Sequence, residues 1–144
     1  MTINTEQLKV ETEKRLQDSY KMFIGGEWTE GTEGRKITSY NPSTGEALAE
    51  FIDATHADVD HAVEVATEAL KSWRQTSLEE RSKYLLDIAD AIEKEADFLA
   101  MVETLDNGKP FREARYADMN LVIDHFRYFA GVIRSEEGTA QQLD

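Results

Sequence analysis

Among the side chains able to do chemistry, Asp106 is the most oddly placed. It sits in Glu103-Thr104-Leu105-Asp106-Asn107-Gly108-Lys109-Pro110, where one amphipathic helical pattern ends and the next begins. Asn107 and Gly108 are residue types that accept the left-handed conformation closing a helix, and Pro110 suits the first turn of the following one. A carboxylate at a helix C-terminus faces the negative end of the dipole, so Asp106 needs a cation: Lys109, Arg112 or a bound ion.

Other constellations fail on chemistry. Gly26 and Gly31 have the spacing of half a phosphate loop, but Thr32-Glu33 stand where a Lys followed by Ser or Thr is required, and an acidic residue there repels phosphate. These glycines read as turn residues needing positive φ. His56 and His61 are five apart and do not share a helix face, and with His125 they form no ligand set legible from spacing. Asn41-Pro42-Ser43 carries the proline that excludes glycosylation. Glu79-Glu80, Glu136-Glu137 and Asp58 with Asp60 read as solvated acidic surface, since general acid/base work needs a desolvated pair in a cleft. The 144 residues contain no cysteine, which removes disulfides, thiolate catalysis and cysteine-based zinc sites together.

Sixteen basic against 29 acidic side chains give a net charge of −13, which repels nucleic acid and anionic membrane surfaces. No apolar run approaches the roughly 18 residues of a membrane span, and the N-terminal residues lack the apolar core of a secretory signal. A cytoplasmic location follows as the default expectation. With 40% hydrophobic and 31% charged residues, the composition is that of a globular segment with one core.

The elements that must position Asp106 are legible in outline. Residues 1–19 form a polar leader, helical only when docked and otherwise frayed. Tyr20 to Trp28 has a strand pattern leading to a Gly-rich turn at Gly31 to Gly34. Ile37, Ser39 and Tyr40 suggest a return strand, and after a turn at Asn41–Glu46 the run Ala47 to Asp53 reads as another. Together they predict a small antiparallel β meander.

Three amphipathic helices should follow, making the fold class α+β. Thr55 with Asp58 marks the first start, and Val59, Ala62, Val63, Ala66, Leu70 and Trp73 give it an apolar stripe. Ser77 with Glu80 forms a capping box for the second, whose stripe of Leu85, Ile88, Ala89, Ile92, Ala96, Leu99 and Ala100 runs to the joint at Asp106. The third spans about Phe111 to Ile133, with Ala114, Ala117 or Asp118, Leu121, Val122, Phe126, Phe129 and Ile133 as its candidate face. From Ser135 to Asp144 the apolar pattern lapses.

The run EKEADFLAMVETLDNGKPFREA resembles a hallmark stretch of the NAD(P)-dependent aldehyde dehydrogenases. The resemblance extends through FIGGEWTEG at residue 23, SYNPSTGEALAEF at 39, DVDHAVEVATEALKSWRQTSLEERSKYLLDIADAIE from 58 and RYFAGVIRSEEG at 127. It covers residues 20–144 and implies an incomplete N-terminal segment of that family's coenzyme-binding domain. In that family a cysteine thiolate attacks the aldehyde, hydride passes to NAD or NADP, and the thioester is hydrolysed to a carboxylic acid. Nucleophile and general base are expected beyond Asp144, so the implied reading is an N-terminal fragment that is inactive and binds no cofactor by itself.

Two sites are carried over from the resemblance. Asp106, with main-chain carbonyls of Ser39 and Tyr40, matches a monovalent-cation site that takes K or Na, an ion for which hard oxygen ligands are suited. Asp118 and Leu121 match positions on a helix that lines one wall of the aldehyde entrance tunnel. Expected partners are the remainder of an aldehyde dehydrogenase chain, or self-association through an exposed apolar helix face. A non-catalytic interaction module derived from the same fold is the alternative. The apolar identity of Leu121, Val122, Phe126 and Phe129 favours the fragment.

Overall fold

The computed structural model describes residues 3–135. The leader is folded: helix α1 spans Thr5–Arg15, and the Asn4 side chain accepts from the Gln7 N–H at 3.2 Å to cap it. Its polar sequence cannot hold a helix by burial alone, and docking against a later helix supplies what is missing.

Five short strands follow: β1 (Ser19–Tyr20), β2 (Met22–Ile24), β3 (Glu27–Thr29), β4 (Lys36–Tyr40) and β5 (Ala47–Ile52). They form two sheets instead of one meander. β2 and β3 are an antiparallel hairpin, while β1, β5 and β4 make a second sheet in which β4 runs antiparallel to β5 but β1 runs parallel to it. The stretch read as a single strand folds back at Gly25-Gly26, whose φ values of 64° and 87° suit a two-residue hairpin turn. The Tyr20 and Phe51 rings stack at 5.3 Å across the parallel pair.

Both helix starts read from the sequence are present with complete capping boxes, at Thr55 for α2 (His56–Trp73) and at Ser77 for α3 (Leu78–Lys94). The second predicted helix is divided at Glu95, after which α4 spans Ala96–Asn107. No glycine or proline marks this break. A tertiary contact does: Arg15 of α1 pairs with Glu95 at 2.8 Å.

The third predicted helix runs through Phe111–Glu113 (α5), a π turn at Ala114–Asp118 and Met119–Val132 (α6), ending in a 3₁₀ turn at Ile133–Ser135. The predicted face is met in part: Ala114 is buried and Val122, Phe126 and Ile133 are half-buried, while beyond the π turn Ile123 and Ala130 are the buried residues and Leu121 and Phe129 are exposed.

The core lies where α3, α4 and α6 meet, and it is built largely from small residues. Ala89, Ala96, Ala100, Ala114 and Ala130 are buried with Met101, Leu105 and Ile123, so the helices approach closely. The Ser82 hydroxyl donates to the Ala130 carbonyl at 2.7 Å in that contact. α2 differs: its stripe of Val59, Val63, Leu70 and Trp73 has the predicted period but is exposed, and the helix touches the other described elements only sparsely. No helix among the described residues is long and apolar enough to cross a membrane.

Candidate functional site

The joint at Asp106 and the β4–β5 turn pack against each other. Gly108 ends α4 at φ 78°, its N–H bonding back to the Thr104 carbonyl at 3.0 Å. The Asn107 side chain accepts from the Lys109 N–H at 2.8 Å, and Pro110 stands at the N-cap position of the next helix. Opposite, the turn after β4 is closed by Asn41. Its N–H donates to the Glu46 carbonyl at 2.9 Å, and its side chain accepts from the Ser43 N–H at 2.9 Å. Pro42 comes so near that a Cβ on Gly108 would lie 2.9 Å from its ring.

Within this junction the Ser39 hydroxyl donates to Asp106 Oδ1 at 2.6 Å, joining residues 67 positions apart. The strand ladder is irregular at the same place. Ser39 faces Ala49 and Tyr40 faces Ala47, so Leu48 is an extra residue and the register shifts between Ser39 and Tyr40. Such bulges interrupt the regular exchange of main-chain hydrogen bonds and recur beside functional sites. Thus two of the three residues assigned to the cation site are in side-chain contact, and the third adjoins the bulge.

The cations nearest in sequence serve other partners. Lys109 hydrogen-bonds the Asp118 carboxylate and reaches Glu103 Oε1 at 3.4 Å, while Arg112 pairs with Glu113 at 2.8 Å. The hydrogen bond to Asp118 pushes the Lys109 ammonium above its ordinary range, with Glu103 adding to it. Of the three compensations open to Asp106, the two side-chain ones are thus engaged elsewhere. No group of three or more His, Cys, Asp or Glu among the described residues is placed to hold a metal ion.

Asp118 closes the π turn, half-buried and held by Lys109, and Leu121 follows three residues on in α6, exposed. The Glu103–Lys109–Asp118 cluster was not legible, because its members lie on both sides of a helix break and share no period. Asp106 and Glu103 also border an apolar groove of about 570 Å³, whose walls include Leu16, Phe51, Phe98 and Val122.

A second polar cluster fixes the other side of the strand region. The Thr32 N–H and hydroxyl donate to Asp58 Oδ1, and the Thr55 N–H and hydroxyl donate to Oδ2. These bonds, the Thr32 hydroxyl first, hold the Asp58 carboxyl down to about 2. The pairing of Thr55 with Asp58 is local and legible as a cap; the contribution of Thr32 is not. With every acceptor position used by the fold, Asp58 is a structural carboxylate.

The profile of the aldehyde dehydrogenase family matches residues 28–144. An aldehyde dehydrogenase of Paracoccus denitrificans is 44% identical over 129 residues, covering 90% of this chain and 25% of that protein. An acetaldehyde dehydrogenase of Pseudomonas aeruginosa is 46% identical over 125 residues, 87% of this chain and 25% of that protein. Among solved structures, the NAD+ complex of an aldehyde dehydrogenase from Bacillus cereus superimposes with a TM-score of 0.86 at 34% identity, over 93% of this chain and 28% of that one. The chain thus spans about a quarter of the length of the curated relatives it matches.

Proposed function

Because this chain belongs to the aldehyde dehydrogenase family, we propose that it is an N-terminal fragment of an NAD(P)-dependent enzyme that oxidises an aldehyde to a carboxylic acid through a cysteine thioester. The observation that carries this reading is the combination of a family match over residues 28–144 with a chain that has no cysteine. A fold can be inherited piecewise, but thioester chemistry cannot proceed without its thiolate. When bound to the whole enzyme, the dinucleotide accepts the hydride. These residues carry no glycine-rich phosphate loop with which to hold it, so their contribution is architectural.

Within that architecture Asp106, Ser39 and Tyr40 form a site for K or Na. The Ser39–Asp106 contact, the bulge beside Tyr40 and the absence of a cationic side chain on Asp106 among the described residues support it. Asp118 and Leu121 belong to a helix facing the aldehyde path. The exposed apolar residues of α2 and α6 are surface for the remainder of such a chain, and in its absence for a second copy. The cytoplasm is kept as the default compartment of this reading.

Calorimetry of the 144-residue chain with NAD and an aldehyde tests the main reading. The expected result is no heat of micromolar binding and no turnover; micromolar affinity for NAD overturns it. The cation site is tested by melting the chain in potassium, sodium and tetramethylammonium chlorides at equal ionic strength. A higher Tm in the alkali salts is expected in the native chain and not in Asp106→Asn, while equal Tm values in all three salts remove the ion.

A further inference from the structure

We propose that the Ser39 hydroxyl is a positioning group of the alkali-cation site: it ties down one oxygen of Asp106 and leaves the other for the ion. The inference rests on the cation reading of Asp106 given above. It assigns a role to the side chain of Ser39, for which the resemblance names only a main-chain carbonyl. The hydroxyl donates to Asp106 Oδ1 at 2.6 Å, the length of a hydroxyl on an ionised carboxylate. Oδ2 accepts no hydrogen bond among the described residues.

An orienting bond is effective only when its donor is itself held, and Ser39 is held on both sides. It faces Ala49 in the β4–β5 ladder, immediately before the register shift. Three residues on, Pro42 lies against Gly108, which keeps the end of β4 beside the end of α4. Asn41, just before it, is buried and closes the turn with its N–H on the Glu46 carbonyl. Asp106 stands in the last turn of α4, which Gly108 terminates. Donor and acceptor meet from two anchored elements, so the freedom that the bond removes is the rotation of the Asp106 side chain.

A hydroxyl suits this task better than a cationic side chain. It supplies a donor without a charge, so Asp106 remains negative at the negative end of the α4 dipole. Lys109 is engaged with Asp118 and Glu103, and Arg112 with Glu113. The Asn107 amide, the other donor close in sequence, is turned to Glu103, while its oxygen accepts from the Lys109 N–H. A single carboxylate with one open oxygen balances a single positive charge, and oxygen is the donor that hard cations take.

Melting the 144-residue chain while potassium replaces tetramethylammonium at constant ionic strength reads the ion as a rise in Tm and its affinity as the midpoint of that rise. Groups that hold a metal ligand in place typically change metal affinity by roughly 10–100-fold, so Ser39→Ala should raise the midpoint about tenfold or more. Ser39→Thr and Ser39→Val share one shape and differ in the hydroxyl. Thr should keep the native midpoint and Val should shift it as Ala does, which also covers a failure of Ser39→Ala to fold. If Ala and Val lower Tm equally in both salts and leave the midpoint unchanged, the hydroxyl is only a tie between β4 and α4, and the inference is overturned. A shift in Ser39→Thr as large as that in Ser39→Val overturns it as well, because shape and not the hydroxyl would then matter. No potassium response in the native chain is a different failure: it removes the ion itself, and this inference with it.

Discussion

At the scale of single residues, the junction of Gly108 and Pro42 shows how one missing atom permits a close approach. The φ of 78° at Gly108 is the left-handed value that an L side chain resists, and an added Cβ would stand 2.9 Å from the Pro42 ring. Gly45 provides an internal control: its φ is 74°, but nothing lies within 4 Å of its added Cβ. Gly45→Ala should therefore lose only the backbone preference, about 1–2 kcal/mol. Gly108→Ala should lose more, because it also pushes the turn carrying Pro42 away from α4 and with it Ser39 from Asp106. Urea denaturation of both variants checks the order, and equal losses would mean that the junction yields without strain. Gly108 was legible as a helix terminator from its type alone. The identity of the residue facing it was not, since nothing in the local sequence couples position 108 to position 42.

At the scale of elements, Asp58 links the loop after β3 to the start of α2. Its folded-state pKa of about 2 lies below the ordinary 3.8, so its contribution is complete above the ordinary value, erodes as pH falls toward 2, and is absent below that. Asp58→Asn should accordingly melt lower than the native chain at pH 7, with the gap closing as both are titrated to about pH 2. A gap independent of pH would show that amide and carboxylate differ here by shape and not by charge. The same cluster marks the limit of sequence reading. Capping boxes at Thr55 and Ser77 are written in four consecutive residues, and both were legible. Thr32 approaches from 26 positions away, and the parallel pairing of β1 with β5 crosses a similar distance; neither leaves a periodic trace. The π turn at Ala114–Asp118 was hidden for another reason, because it shifts the phase of an apolar pattern without breaking it. Ser39 and Tyr40 were named by resemblance, while the dipole argument alone reached only Asp106.

At the scale of the whole molecule, two properties oppose each other. Val63, Leu70, Phe129 and other large apolar side chains are exposed on α2 and α6, which favours association, whereas a net charge of −13 drives copies apart. Salt should decide the balance, since the screening length falls from about 10 Å at 0.1 M to about 3 Å at 1 M. Sedimentation of the chain should thus show a monomer at low ionic strength and self-association near 1 M sodium chloride, a span set by that screening. A monomer at both would mean that these faces are too dispersed to adhere.

The docking of α1 also has a consequence during synthesis. Arg15 and its partner Glu95 are 80 residues apart. At roughly 5–20 residues per second, a ribosome takes on the order of 4–16 s to cover that distance. For this interval α1 has no partner helix to lie on. A leader rich in charge and poor in apolar residues suits such a wait, because it presents little for chaperones to bind or for a neighbouring nascent chain to trap.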